Sequence, residues 1–172
     1  MQQNSFLEQY KPVAEHHLQT VSQDGVEIRF IDNAYCLFAD GFNWMNTNNI
    51  DILDHKSILE FRGNVLCTGL GLGVCVAYAF ANPLISHIDV IENDPRIIAI
   101  IEPMLRKCFQ FPEDYLKIIQ ADADSYEDLD YDCAFLDHYS AAIPDSVKRR
   151  YEQKIPNVVY WYDEGLKWLN TL

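Results

Sequence analysis

The chain has 172 residues, with 26 acidic side chains against 13 basic ones, a net charge of −13 and a 49% hydrophobic composition. That length suits one domain with a proper core, and that apolar fraction excludes a disordered chain. No basic run exceeds Lys148-Arg149-Arg150, so nucleic-acid binding through phosphate neutralisation is excluded; the acid excess fits either a small cationic substrate or simply a solvated acidic surface.

Residues 5–20 read as a short helix whose limits are blurred by Pro12 and the His16-His17 pair. Two strands follow at 26–31 and 35–39, joined by Asp32-Asn33-Ala34, and Asp40-Gly41 marks a turn after the second. Residues 42–50 read as a polar loop, in which Trp44 is placed to lid a ligand. A helix at 51–61 leads into strand 64–69, helix 72–82 and strand 86–91. Helix 95–108 comes next, with Asn93 as its N-cap and Pro95 in its first turn. Strand 115–120, a short helix near 124–129, strand 131–136, helix 145–154, strand 157–161 and a terminal helix 163–170 complete the series. This alternation predicts an α/β fold: a Rossmann-like, doubly wound, mostly parallel sheet of order 3-2-1-4-5, with a ligand at the switch point between the first and fourth strands. An N-terminal extension over 1–50, a helix and a β-hairpin, precedes the sheet domain over 51–172, the two forming one unit.

Strand 64–69 runs into Gly69-Leu70-Gly71-Leu72-Gly73 and then into an apolar helix. A glycine turn of this kind lets a ligand touch backbone, and the helix N-terminus behind it offers free N–H groups and the positive end of a dipole. Glu92 closes the next apolar run nineteen residues after Gly73, where a carboxylate accepts hydrogen bonds from both hydroxyls of a ribose. Together they point to an adenosine-containing ligand. Asp94 reads equally as a first-turn acid complementing its helix dipole. Asp122 has a competing role too, since Asp122, Asp124 or Ser125 could cap the short helix that follows. Asp137 ends a buried strand at the mouth of the sheet, where sites in open α/β sheets gather, and His138 beside it has the intrinsic pKa of a general base. Cys67 reads as inert core, the pair Trp161 and Trp168 as packing, and His16, His17, His55 and His87 show no ligand spacing.

The G-x-G-x-G pattern, with Val74 where a dinucleotide site has its third glycine, resembles the first motif of class I S-adenosylmethionine-dependent methyltransferases. Glu92-Asn93-Asp94 resembles the acidic motif after their second strand. Asp122-Ala123 resembles the motif after the third, where an acid meets the adenine amino group. Tyr131 to Asp137 resembles their fourth strand, whose terminal acid faces the substrate. One branch, the spermidine-synthase-like aminopropyltransferases, is similar in further respects: an apolar residue at the Cys67 position, an entering hairpin with an Asp-Gly turn, and a catalytic Asp at the place of Asp137. The sequence after it, His138-Tyr139-Ser140-Ala141, lacks the second acid and the proline of that branch's motif, which counts against aminopropyl transfer. The methyltransferase core commonly closes with two further strands, whereas this chain stops after the fifth strand and one helix.

What the resemblance implies is S-adenosylmethionine-dependent methyl transfer to a small-molecule acceptor, an amine being one candidate. Gly69, Gly71, Gly73, Glu92, Asn93, Asp122 and Ala123 would hold the cofactor, and Asp137 with His138 would serve the acceptor. Aminopropyl transfer from decarboxylated S-adenosylmethionine is the alternative, and a non-catalytic binding module that keeps the fold is a third reading. Five cysteines without a C-x-x-C pair offer no metal site and, as buried thiols, indicate a reducing compartment. With no signal-peptide pattern at the N-terminus and no apolar run of about 20 residues, a cytoplasmic location and no membrane contact are expected. A homodimer would use the N-terminal hairpin or the exposed edge of the fifth strand.

Overall fold

The computed structural model describes residues 2–140 and 142–161. Five strands, β5 (Gly63–Thr68), β6 (Ile85–Glu92), β7 (Leu116–Gln120), β8 (Cys133–Leu136) and β9 (Asn157–Tyr160), form a parallel sheet in the order β7-β6-β5-β8-β9. β5 is buried from Val65 onward and β6 from Ile88 onward, the unbroken runs required of strands covered on both faces. Their alternate side chains divide between two cores. Val65, Cys67, Ile88 and Val90 join α3 (Val74–Ala81) and α4 (Pro95–Cys108) on one side. Leu66, Ile91, Ala134 and Leu136 meet Tyr151 of α5 (Asp145–Glu152) on the other. α3 is apolar all round because α1 (Gln2–Glu15) and a 3-10 helix (His55–Glu60) cover its outer face. α4 instead buries one stripe, Ile97, Ile100, Ile101, Met104 and Leu105.

The N-terminal region is a second sheet, with β1 (Val21–Gln23), β2 (Val26–Ile31), β3 (Ala34–Ala39) and β4 (Phe42–Asn46) antiparallel in chain order. Its three turns, Asp24-Gly25, Asp32-Asn33 and Asp40-Gly41, have positive φ at both central residues, the geometry that matches the twist of flanking strands. The expected hairpin is therefore only the middle of this sheet. Segment 42–50, expected as a loop, instead forms β4, because the tight turn at Asp40-Gly41 sets Phe42 opposite Ala39 and leads Asn46 opposite Cys36. Val26, Ile28 and Leu37 share one apolar core with Leu70, Leu72 and Val74, so the sheet sits on the glycine turn. Buried Thr47 ties α1 to the end of β4. Its hydroxyl accepts the Tyr35 N–H (2.9 Å) and donates to Glu15, while Lys11 donates to its carbonyl (2.6 Å).

Other boundaries move for local reasons. The first helix ends at Glu15 rather than residue 20. The helix expected at 51–61 starts earlier, as α2 (Asn49–Asp54), because the Asn48 side chain accepts the N–H groups of Ile50 and Asp51, and it tightens into the 3-10 helix at His55. Asp94, not Asn93, caps α4, accepting the Arg96 N–H at 2.9 Å. No helix forms near 124–129. That acidic stretch buries only Leu129, so it has no apolar stripe to anchor a helix, and it remains a loop. The expected helix 163–170 and Trp168 lie outside the described residues. Among the described residues no helix is long and apolar enough to cross a membrane.

Candidate functional site

A cleft of about 800 Å³ lies between the C-terminal edge of the parallel sheet and the inner face of β3 and β4, in the size range of small-molecule sites. β5, β6, β7 and β8 all end here, so their terminal residues converge from far apart in the chain. Gly69, Glu92, Asp122 and Asp137 are the residues at or just beyond those ends, and all four line the cleft with Gly71, Asn93, Ala123 and His138. Gly73 does not line it. A side chain there would press on His17 Nε2 (3.0 Å), Leu105 (3.1 Å) and Ile101 (3.2 Å), so this glycine allows the turn to pack on α4. Gly69 and Gly71 answer close approaches within the protein as well. A Cβ on Gly69 would collide with the Asp137 carbonyl, and one on Gly71 would lie 2.5 Å from Met45 Sδ. The Met45 thioether also accepts the Leu72 N–H at 3.2 Å, so β4 lays a flexible side chain across the glycine turn.

Glu92 is 8% exposed and held on both oxygens. Oε2 accepts the Leu70 N–H at 3.0 Å and Oε1 the Asp94 N–H at 2.9 Å. A carboxylate has about four acceptor positions, so two remain for the cleft. Beside it, Asp94 and Asp40 share the guanidinium of Arg96: Nη1 and Nη2 meet the two oxygens of Asp40 at 2.9 Å, and Nη2 meets Asp94 Oδ2 at 2.7 Å. This pairing holds both carboxyls below the usual carboxylate range. It also ties the β3–β4 turn to the start of α4 across the top of the cleft. At the far lip, exposed Asp122 accepts the Asp124 N–H (2.9 Å) and caps a turn, its expected competing role in a different element. Ala123 is buried and its carbonyl accepts the Tyr151 hydroxyl at 2.8 Å, which fixes that loop.

Asp137 opens onto the cleft with 20% of its side chain exposed, its N–H donating to the Thr68 carbonyl at 3.0 Å. Beneath it lies His55, whose Nε2 is 3.5 Å from Asp137 Oδ2 and whose Nδ1 is 2.8 Å from the Asp51 carbonyl. Burial disfavours the imidazolium, yet the bond and charge of Asp137 outweigh it and lift the ring to about 9. Asp51 also lines the cleft; burial, with the charge of Asp137 added against that of His55, pushes its carboxyl up to about 6. Neither Asp51 nor His55 stands out in the sequence. Their only local signal is an i, i+4 spacing across the end of α2.

His138 lines the cleft with both ring nitrogens in use. Nδ1 is 2.6 Å from Thr68 Oγ1 and Nε2 3.2 Å from Asp124 Oδ1, and burial holds the ring below its ordinary pKa despite Asp124. A neutral ring bonded at both nitrogens has no free lone pair left over, and His138 ties the end of β5 to the Asp124 loop. Phe42 and Trp44, 54% and 57% exposed, form the aromatic wall opposite with ring centroids 4.8 Å apart; Trp44 belongs to a strand rather than a loop lid. Cys67 is buried, and its hydrogen bond to Cys75 and its burial push its thiol up, in keeping with inert core. Among the described residues seven carboxylates line the cleft (Asp40, Asp51, Glu92, Asp94, Asp122, Asp124 and Asp137), a field that favours cationic ligands.

No family model and no curated protein matches the chain. Among solved structures it is similar to spermidine synthase from Thermotoga maritima, at 15% identity and a TM-score of 0.58, covering 80% of this chain and 52% of that one. It is also similar to a spermidine synthase bound to the transition-state analogue AdoDATO, at 13% identity and a TM-score of 0.60, covering 90% and 62% respectively. The chain thus shares their fold while spanning between about half and three-fifths of their length.

Proposed function

We propose that the chain is an S-adenosylmethionine-dependent transferase that methylates a small-molecule acceptor. The observation that carries this reading is Glu92: a carboxylate gripped by two backbone N–H groups at the end of β6, with acceptor positions left over at the floor of an acid-lined cleft. The residues fit such a cofactor at its ribose, through Glu92, and at its adenine, through Asp122 and Asn93. Over Gly71 the thioether of Met45 occupies the surface of the turn, and only that flexible side chain has to move aside. When bound, the cofactor supplies an alkyl carbon already activated by its sulfonium. The chain's own residues align and dry the site: Phe42 and Trp44 wall it from solvent, and Asp137 orients the acceptor and takes its proton.

Aminopropyl transfer from decarboxylated S-adenosylmethionine is a second reading, and one observation favours it. The acid missing from the motif after Asp137 has a spatial counterpart in Asp51, which reaches the same end of the cleft from α2. The test is a calorimetric titration with S-adenosylhomocysteine, methylthioadenosine and NADH in parallel. Binding of S-adenosylhomocysteine alone supports methyl transfer, and preference for methylthioadenosine moves the reading to aminopropyl transfer. NADH alone would overturn both. Silence from all three would leave a fold kept for binding or assembly.

A further inference from the structure

We propose that His55 is a positioning residue for Asp137: a buried imidazolium that grips Oδ2 from below and leaves the other carboxylate oxygen to the cleft. This rests on the reading of Asp137 as the group that receives the acceptor's proton. The ring is 2% exposed and lies among apolar neighbours, with the Phe135 ring centroid at 4.9 Å and that of Tyr78 at 6.5 Å. A polar group so placed is costly unless both its nitrogens are satisfied.

Hydrogen-bond bookkeeping then settles the protons. The Asp51 carbonyl can only accept, so Nδ1 carries a hydrogen. A neutral ring with that hydrogen would present a lone pair at Nε2 to the lone pairs of Asp137 Oδ2, 3.5 Å away. One proton must therefore be held between them, as imidazolium with carboxylate or as imidazole with carboxylic acid. The ionisable groups facing the ring are Asp137 at the end of β8, Asp51 on α2, and Cys75 and Tyr78 on α3, with the thiol of Cys67 on β5 bonded to Cys75 and the Tyr78 hydroxyl donating to the Ile52 carbonyl. Burial pushes the Asp137 carboxyl up, but the His55 ring pulls it back, and the charge of Asp51 acts more strongly on His55 than on Asp137, which places the shared proton on His55. In this form Asp137 is ionised and immobile before any acceptor arrives.

Nitrogen-15 NMR of histidine-labelled protein reads this without any turnover, the His55 signals being assigned by their loss in His55→Gln. In the unaltered chain both ring nitrogens should stay protonated up to about pH 9. In Asp137→Asn the midpoint should fall clearly below 9, because burial is then opposed only by the smaller effects of the Asp51 carbonyl and Cys75. A singly protonated ring at pH 7 in the unaltered chain, or a midpoint indifferent to Asp137→Asn, overturns the proposal. Where an acceptor is in hand, His55→Gln should lower kcat at least tenfold, keep S-adenosylhomocysteine affinity within twofold, and move the acidic limb of the kcat/KM profile upward by at least one pH unit. A fall in kcat with an unmoved profile would make His55 merely structural. Failure to bind S-adenosylhomocysteine would sink the transferase reading and leave the NMR midpoints to decide the His55–Asp137 pair alone.

Discussion

Glu92→Gln tests the site at its most constrained residue. The side chain keeps its shape, but one of its two acceptor oxygens becomes an NH2 group that faces either the Leu70 or the Asp94 N–H, bonds now at 3.0 and 2.9 Å. One buried donor is left unsatisfied, at a cost of about 1–3 kcal/mol in stability. Glu92→Ala strips both donors of their partner and should cost about twice that. The ligand side is a separate quantity. Ribose hydroxyls bonded to a carboxylate gain about 1.5–3 kcal/mol, roughly double the neutral share that an amide retains. Glu92→Gln should therefore weaken S-adenosylhomocysteine binding about tenfold, near 1.4 kcal/mol, and Glu92→Ala by at least that factor. Calorimetric titration measures the affinity, and urea unfolding of the same preparations measures stability. If Glu92→Gln unfolds at lower urea yet binds with unchanged affinity, Glu92 is a clamp for the glycine turn and the ribose assignment is wrong.

Three further outcomes follow from the same geometry. Gly71→Ala drives a methyl group toward Met45 Sδ, so adding Met45→Ala should recover at least 0.5 kcal/mol of the stability lost, read as the coupling in a double-mutant cycle; strict additivity would show that the contact is relieved without cost. Gly73→Ala and Gly41→Ala both face a positive φ, worth about 1 kcal/mol, but only Gly73 is hemmed in, by His17, Leu105 and Ile101. Urea unfolding should show Gly73→Ala about 1–3 kcal/mol the worse, and equal losses would refute that packing role. His17 is buried with Nε2 on the Leu72 carbonyl at 2.7 Å, and burial lowers its pKa to about 4. The unfolded chain takes up that proton near pH 6.5 and the folded chain does not, so this contribution to stability is intact above 6.5 and fades as pH falls toward 4, by about 3 kcal/mol in all. The stability gap between the unaltered chain and His17→Gln should narrow by that amount between pH 7 and pH 4; a constant gap would mean that His17 is protonated in the fold.

Much of the parallel sheet is legible from local pattern alone. Apolar runs such as Val65–Thr68 and Ile88–Ile91 can be buried only between two layers, and the acids that close those runs or follow them must then meet at one edge. That logic brings Glu92, Asp122 and Asp137 to the cleft. It fails for Gly73, because a missing side chain reads the same whether a ligand or a neighbouring helix needs the room. β4 is hidden by its composition: Asn43, Asn46 and the asparagines after it look like a loop, and only the handedness of the Asp40-Gly41 turn returns them to the sheet. Asp51 and His55 leave only an i, i+4 spacing, because their meaning comes from Asp137, more than eighty residues later. His138 is the reverse case, a residue conspicuous in sequence whose nitrogens are consumed by Thr68 and Asp124.

The two sheets place very different demands on a growing chain. Every pairing in the β1–β4 meander closes through a two-residue turn, so it can be complete once residue 46 is available. β5 borders β6 on one side but waits on its other edge for β8, 68 residues away at every pair from Val65 and Cys133 to Thr68 and Leu136. Local pairings form in microseconds, whereas distant ones must first overcome the entropy of closing a long loop. The wall of the cleft is thus assembled before its floor. During that interval the edge of β5 stands open to any other strand, which makes residues 63–68 the segment most exposed to mispairing before the molecule is whole.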